Sequence, residues 1–179
     1  MLVRSPVAAY QALLEKRPYS LVRWIVLLGM SPSAGLLYVE TLQQFAAEQG
    51  AAIQGFPLYL AVLVAAPLTV LIGWLLQSAL LTLVSRLAGG RATFRTTMLI
   101  FGYAQAPYLL TLPALFLPLG FLPLLLLFLN GLTLFYLYLG LLLAHGLGRG
   151  RTLFVLLAGQ LLLPLLLTLV AIFGGSAIP

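Results

Sequence analysis

Four carboxamides stand inside otherwise apolar runs of this sequence: Gln77, Gln105, Asn130 and Gln160. A carboxamide both donates and accepts hydrogen bonds, so in hydrocarbon it needs a partner. Gln77 lies nine residues before Arg86, Gln105 ten after Arg95, and Gln160 nine after Arg151. At about 1.5 Å per helical residue, each amide is roughly 14 Å from its arginine, near the middle of a bilayer. Asn130 also falls near mid-span. Two kinds of chemistry fit. A polar layer of amides can line a cavity for a head group or solute between proline-broken helices, as in transporters. Alternatively, the amides hydrogen-bond across helices and hold them together, at about 0.6 kcal/mol each.

Arg86, Arg91 and Arg95 cluster around the pair Gly89 and Gly90. Arg91 and Arg95 are four apart and could share a helical face. With Arg86 they can hold a lipid phosphate, or simply anchor the cytoplasmic ends of the spans. The single histidine, His145, closes an apolar run and is expected as a helix-end residue. One His makes no zinc site without other ligands. The three acidic residues, Glu15, Glu40 and Glu48, lie outside the spans, and the chain has no Asp and no Cys. Ser31, Ser78 and Ser85 have no evident base partner, which disfavours an intramembrane hydrolase. Tyr103, Tyr108, Tyr136 and Tyr138 read as packing or interface residues. The sequence therefore implies no catalytic residue, no metal and no cofactor, and a protein that is not an enzyme.

These residues must be positioned by membrane helices. Of 179 residues, 63% are hydrophobic and 7% charged. The mean hydropathy is +1.14. A soluble domain carries about 25% charged residues because its surface must be hydrated. This chain cannot cover such a surface. Its net charge of +6 comes from nine Lys and Arg confined to segment ends. They are topology signals beside anionic head groups and not a nucleic-acid footprint.

The fold class read from the sequence is all-α: five transmembrane helices preceded by an N-terminal amphipathic helix. In residues 1–18, Ser5 can cap a helix and Pro6 suits its first turn. Val3, Val7, Tyr10 and Leu14 form one face, expected to lie on the membrane surface. Glu15, Lys16 and Arg17 precede any apolar run, so no cleavable signal peptide is expected. The membrane domain, 19–179, has spans expected at about 19–39, 56–85, 97–117, 122–145 and 152–173. Pro32, Pro67, Pro107, Pro113 and Pro164 lie inside spans, and Pro32 predicts a kink. A polar loop is expected from Glu40 to Gly55, and a tight uncharged turn at Pro118, Gly120 and Pro123.

The charges test this count. Arg4, Lys16, Arg17 and Arg23 come before or at the start of span one. Arg86, Arg91 and Arg95 lie between spans two and three, and Arg149 and Arg151 between four and five. With five spans all nine fall on one side. The positive-inside rule then puts the N-terminus in the cytoplasm and the C-terminus outside.

The run Gly89-Gly90-Arg91-Ala92-Thr93-Phe94-Arg95, followed by Gly102-Tyr103 and Pro107, resembles the Yip family of Ypt-interacting membrane proteins. The resemblance implies five spans and a cytoplasmic N-terminus, matching the topology reached from the charges. Eukaryotic members carry an acidic-aromatic DLYGP motif. A chain without Asp cannot contain it, so no Rab-type GTPase is expected as partner. The resemblance is closest to the bacterial branch and implies a bacterial inner membrane protein.

Two functions follow as expectations. The first is a non-enzymatic membrane protein that binds lipids, a membrane-protein partner or a second copy of itself, and affects membrane organisation or trafficking. The second is a small transporter or lipid translocator with a mid-membrane polar cavity.

Overall fold

A computed structural model describes residues 5–48, 55, 60–114 and 121–175. Every regular element among the described residues is helical. Three described helices are long and apolar enough to cross a bilayer: Leu63–Leu87, Pro123–His145 and Arg149–Leu166. The protein is a multi-pass, all-α membrane protein.

Helix α1 spans Pro6–Lys16. The Ala8 N–H donates to Ser5 Oγ at 3.3 Å, satisfying one of the free donors of the first turn. The helix ends on Arg17, in the left-handed region at φ 45°, whose N–H reaches the Leu13 carbonyl at 2.9 Å. Pro18 then blocks continuation. Its buried residues are Tyr10 and Leu13, while Val7 is exposed. Of the expected face, Tyr10 is buried, Val7 is exposed, and Leu13 is buried in place of the expected Leu14; Val3 lies outside the described residues. Tyr10 sets the face. Its ring lies against Gly140, where a Cβ would stand 2.9 Å from Tyr10 Cε1, and 6.5 Å from the ring of Tyr136.

Helix α2, Tyr19–Glu48, runs on past residue 39 into the stretch expected to be a polar loop. Leu42, Gln43, Gln44, Ala46, Ala47 and Glu48 all favour helix, and no Gly or Pro interrupts them. Pro32 is held inside this helix, where it removes one backbone hydrogen bond. A π-helical turn, Ala61–Ala65, precedes α3, Ala66–Leu87. Pro67 has no N–H for the carbonyl four residues back, and a π turn is a common way to absorb that mismatch. Residues 56–59, which open the expected second span, lie outside the described residues.

The third span departs most from expectation. Instead of one helix over 97–117 there are three pieces. Helix α4 covers Phe94–Ala104, a 3-10 turn Ala106–Leu110, and a short α5 Thr111–Ala114. Pro107 is the cause: its ring crowds the carbonyl of residue 103. The chain tightens there, with Gln105 N–H to Gly102 O at 3.2 Å and Tyr108 N–H to Gln105 O at 2.9 Å. The turn expected at Pro118 and Gly120 lies outside the described residues. Helix α6 is Leu122–His145 and α7 is Arg149–Gly175. Arg149 and Arg151 therefore stand in the first turn of α7 and not in a loop before it.

The chain divides into two compact units. One combines Met1–Arg17, Leu75–Phe101 and Leu134–Pro179; the other combines Pro18–Trp74 and Gly102–Thr133. In the first, Leu81, Leu99, Ile100, Leu137, Leu141 and Val155 are buried to 1% exposure or less. Glycines let its helices approach. A Cβ on Gly140 would strike Ile100 Cγ2, and one on Gly159 would strike Leu81 Cδ2. In the second unit α2 packs on the π turn, the 3-10 turn and α5. There, Gly102 lies against Val22 and Trp74, and Gly29 lies against Tyr108.

Candidate functional site

The basic turns of the first unit are built from the end of α3 outward. The Gly89 N–H bonds Arg86 O at 3.0 Å, and the Gly90 N–H bonds Ser85 O at 2.7 Å. With Gly89 at φ +92°, this is a Schellman cap, which only glycine enters without strain. Gly90 is needed for a second reason. A Cβ there would stand 2.8 Å from both His145 Nδ1 and Ser85 O. His145, at the end of α6, is 1% exposed and 3.0 Å from Thr97 Oγ1 through Nε2. Its carbonyl accepts the Arg91 N–H at 3.3 Å. The lone histidine thus ties the turn after α3 to α4 and α6, a structural role in keeping with its helix-end position.

Thr93 caps α4. Its Oγ1 accepts the Thr96 N–H at 3.3 Å, and its carbonyl accepts the Thr97 N–H at 3.0 Å. Arg95 is consequently in the first turn of α4, as Arg149 and Arg151 are in that of α7. Neither first turn contains an acidic residue. A helix N-terminus carries about half a positive charge, so arginine there is unfavourable unless an anion approaches. Arg86, Arg91, Arg95, Arg149 and Arg151 are all exposed. The Arg151 guanidinium reaches over the α3 cap, 3.6 Å from where a Gly89 Cβ would be. Five arginines are thus held around the Gly89-Gly90 turn and the start of α7, three of them at positive helix ends.

The amides divide between the two units. In the first, Gln77 is buried, and its Nε2 donates to the Gly159 carbonyl at 2.7 Å. Gln160, next along α7, is half-buried. In the second, Gln105 is buried and its Oε1 has no hydrogen-bond partner among the described residues. Asn130 is exposed; its Oδ1 accepts the Tyr108 hydroxyl at 2.7 Å and its Nδ2 donates to Leu126 O at 2.9 Å. The bonds at Gln77 and Asn130 are those of helix packing. Of the motif residues, Gly102 and Pro107 are buried and Tyr103 is half-buried. Ser85 is fully buried, with no hydrogen bond to its Oγ among the described residues.

Sequence reasoning missed Thr97, Thr93, Gly140 and Gly159. Small residues at helical spacing in an apolar run were the available signal for the glycines. Nothing in the sequence marks which threonine meets the histidine.

The Yip1 domain family model matches residues 1–172. No curated protein matches the chain, and no solved structure does.

Proposed function

The chain belongs to the Yip1 domain family, and from that premise we propose a non-enzymatic protein of a bacterial inner membrane. In this reading it crosses the membrane five times, with its N-terminus in the cytoplasm and its C-terminus outside. It binds anionic lipids at its cytoplasmic turns and thereby affects membrane organisation or trafficking. The observation that carries the reading is the set of exposed arginines at the positive ends of α4 and α7, with no acid in either first turn. Local electrostatics disfavours that arrangement, and an anionic surface offsets it. A membrane-protein partner or a second copy are further occupants of the apolar helix faces. The absence of Asp disfavours a Rab-type GTPase. The transporter reading draws less support, because the buried Gln77 amide holds a backbone carbonyl of α7.

The test compares the purified full chain with a variant in which Arg86, Arg91 and Arg95 are all Gln. Each arginine near an anionic surface contributes about 1 kcal/mol. The parent is expected to enrich phosphatidylglycerol over phosphatidylcholine in its lipid annulus, and the variant to lose most of that enrichment. Equal lipid ratios for the two proteins would sink the reading.

A further inference from the structure

Helices α6 and α7 leave a groove between them in the first unit, about 430 Å³ in volume. Leu134, Phe135 and Tyr138 line one side, and Arg149, Gly150, Leu153 and Leu156 the other. Leu156 is buried and forms the floor, while Leu134, Phe135 and Leu153 are exposed along the sides. The groove is apolar except at one end, where Arg149 opens α7. Leu156 is seven residues further along α7, roughly 10 Å deeper. A volume of this size holds a slender molecule of drug-like dimensions.

We propose that this groove binds one acyl chain of an anionic diacyl phospholipid, with the phosphate against Arg149 and the free N–H groups opening α7. The proposal rests on the reading of the basic turns as the cytoplasmic, lipid-facing end, and gives that reading a located site. Charge complementarity selects the occupant. The first turn of α7 has no acidic residue. The whole chain has three Glu, at positions 15, 40 and 48, and no Asp. With no acid in its own helix turn, Arg149 is complemented by an anion from outside, and phospholipid head groups are the anions at that depth. A second copy fits less well. In a shared membrane orientation its own basic rim would face Arg149 across the groove, like charge against like.

The test is native mass spectrometry of the full chain, given equal phosphatidylglycerol and phosphatidylcholine with identical chains. The parent is expected to retain one phosphatidylglycerol, at about fivefold preference, which is what one arginine contact at a membrane surface supplies. Arg149→Gln, an exposed and structurally mild change, should reduce the preference to near unity. Leu153→Trp fills the groove and should lower retention of both lipids. Leu134→Trp serves the same purpose if that variant does not fold. Leu157→Trp, also exposed on α7 but not lining the groove, should change nothing. The proposal is overturned if Arg149→Gln keeps the parent's preference, or if groove-filling variants keep both lipids. Loss of preference in the Arg86, Arg91, Arg95 variant with Arg149→Gln unaffected overturns the groove and leaves the basic-turn reading standing. The opposite pattern supports the groove alone, and a parent with no preference overturns both. A dimer that Leu153→Trp dissociates puts a second copy in the groove and also overturns it.

Discussion

The Gln77 side chain donates a 2.7 Å hydrogen bond to the backbone carbonyl of Gly159, joining α3 to α7. The bond depends on the glycine. A side chain at 159 would strike Leu81, one turn along α3 from Gln77, and hold the helices apart. Sequence position alone made Gln77 and Gln105 equivalent, each about ten residues from an arginine. Their surroundings separate them in one respect: both have a buried Oε1 without a partner among the described residues, but Gln77 also has its donor bonded across to α7.

Unequal effects follow from removing the two amides. Gln77→Leu loses an interhelical hydrogen bond, typically about 0.6 kcal/mol in a membrane, less what is regained by removing its own unpaired Oε1, so it should be the more destabilising of the two. Gln105→Leu removes an acceptor whose burial already costs free energy, so it should be neutral or mildly stabilising. Thermal unfolding in one detergent, read side by side, checks the pair. A Gln105→Leu variant clearly weaker than Gln77→Leu would mean that the Gln105 carbonyl finds a partner in the membrane.

Tyr10 anchors α1 through its contact with Gly140, so both residues should control whether that helix stays docked. Tyr10→Ala removes a buried ring, a loss of about 3 kcal/mol, and Gly140→Val drives a side chain into Tyr10 and Ile100. Either change should speed tryptic cleavage after Lys16 by about tenfold or more, while the rest of the chain stays intact; the Arg17–Pro18 bond resists trypsin in every variant. Unchanged cleavage would show that α1 is held by something other than Tyr10.

Gly89 and Gly90 are adjacent but should respond differently to alanine. Gly89→Ala meets only the strain of φ +92°, about 1 kcal/mol. Gly90→Ala places a methyl group 2.8 Å from His145 Nδ1 and from Ser85 O, an overpacking expected to cost about 1–3 kcal/mol. His145→Ala makes room beside the ring but leaves Ser85 O in place. It should therefore rescue Gly90→Ala only in part. Full rescue in a double-mutant cycle would contradict this picture of the cap.

Much of the architecture was legible because it follows from solvation. A chain with so few charges must be a helical membrane protein, and Ser5-Pro6, Gly89 and His145 fall where caps and helix ends require such residues. What was hidden depends on neighbours distant in sequence. Pro107 announced a distortion but not its form. A kinked helix and a 3-10 turn both accommodate a missing N–H, and tertiary packing against α2 selects between them. The polar stretch from Glu40 suggested a loop with at most one helical turn through Leu42, Phe45 and Ala46; that α2 continues unbroken to Glu48 was hidden because polarity was weighed above helix propensity. On α1 the burial of Tyr10 was legible, but that of Leu13 in place of Leu14 was not, because the docking partner Gly140 is 130 residues away. The pairing of Thr97 with His145 could not be read at all, because any of several threonines has the same chemistry.

The span count itself gives the last prediction. Lys16, Arg17, Arg86, Arg95, Arg149 and Arg151 stand at helix ends or within first or last turns; Arg23 is the fifth residue of α2, and Arg91 lies in the connection between α3 and α4. The three described helices able to cross a bilayer place Arg86 at the end of one and Arg149 at the start of another. Helices α3 and α7 therefore carry their arginines at opposite ends of the chain direction, as two spans crossing in opposite senses require when both basic ends share a side. Five spans put the other connections, around Gly50 and Gly120, on the side without Lys or Arg. Reporter fusions after Gly50, Gly90, Gly120, Gly148 and Pro179 should read outside, inside, outside, inside and outside. The Gly90 and Gly148 fusions must agree, whatever the total count, if the five arginines form one cytoplasmic surface. Opposite readings at those two positions would dismantle the basic surface and the groove site with it. A C-terminal fusion reading inside would change the span count but leave that surface intact.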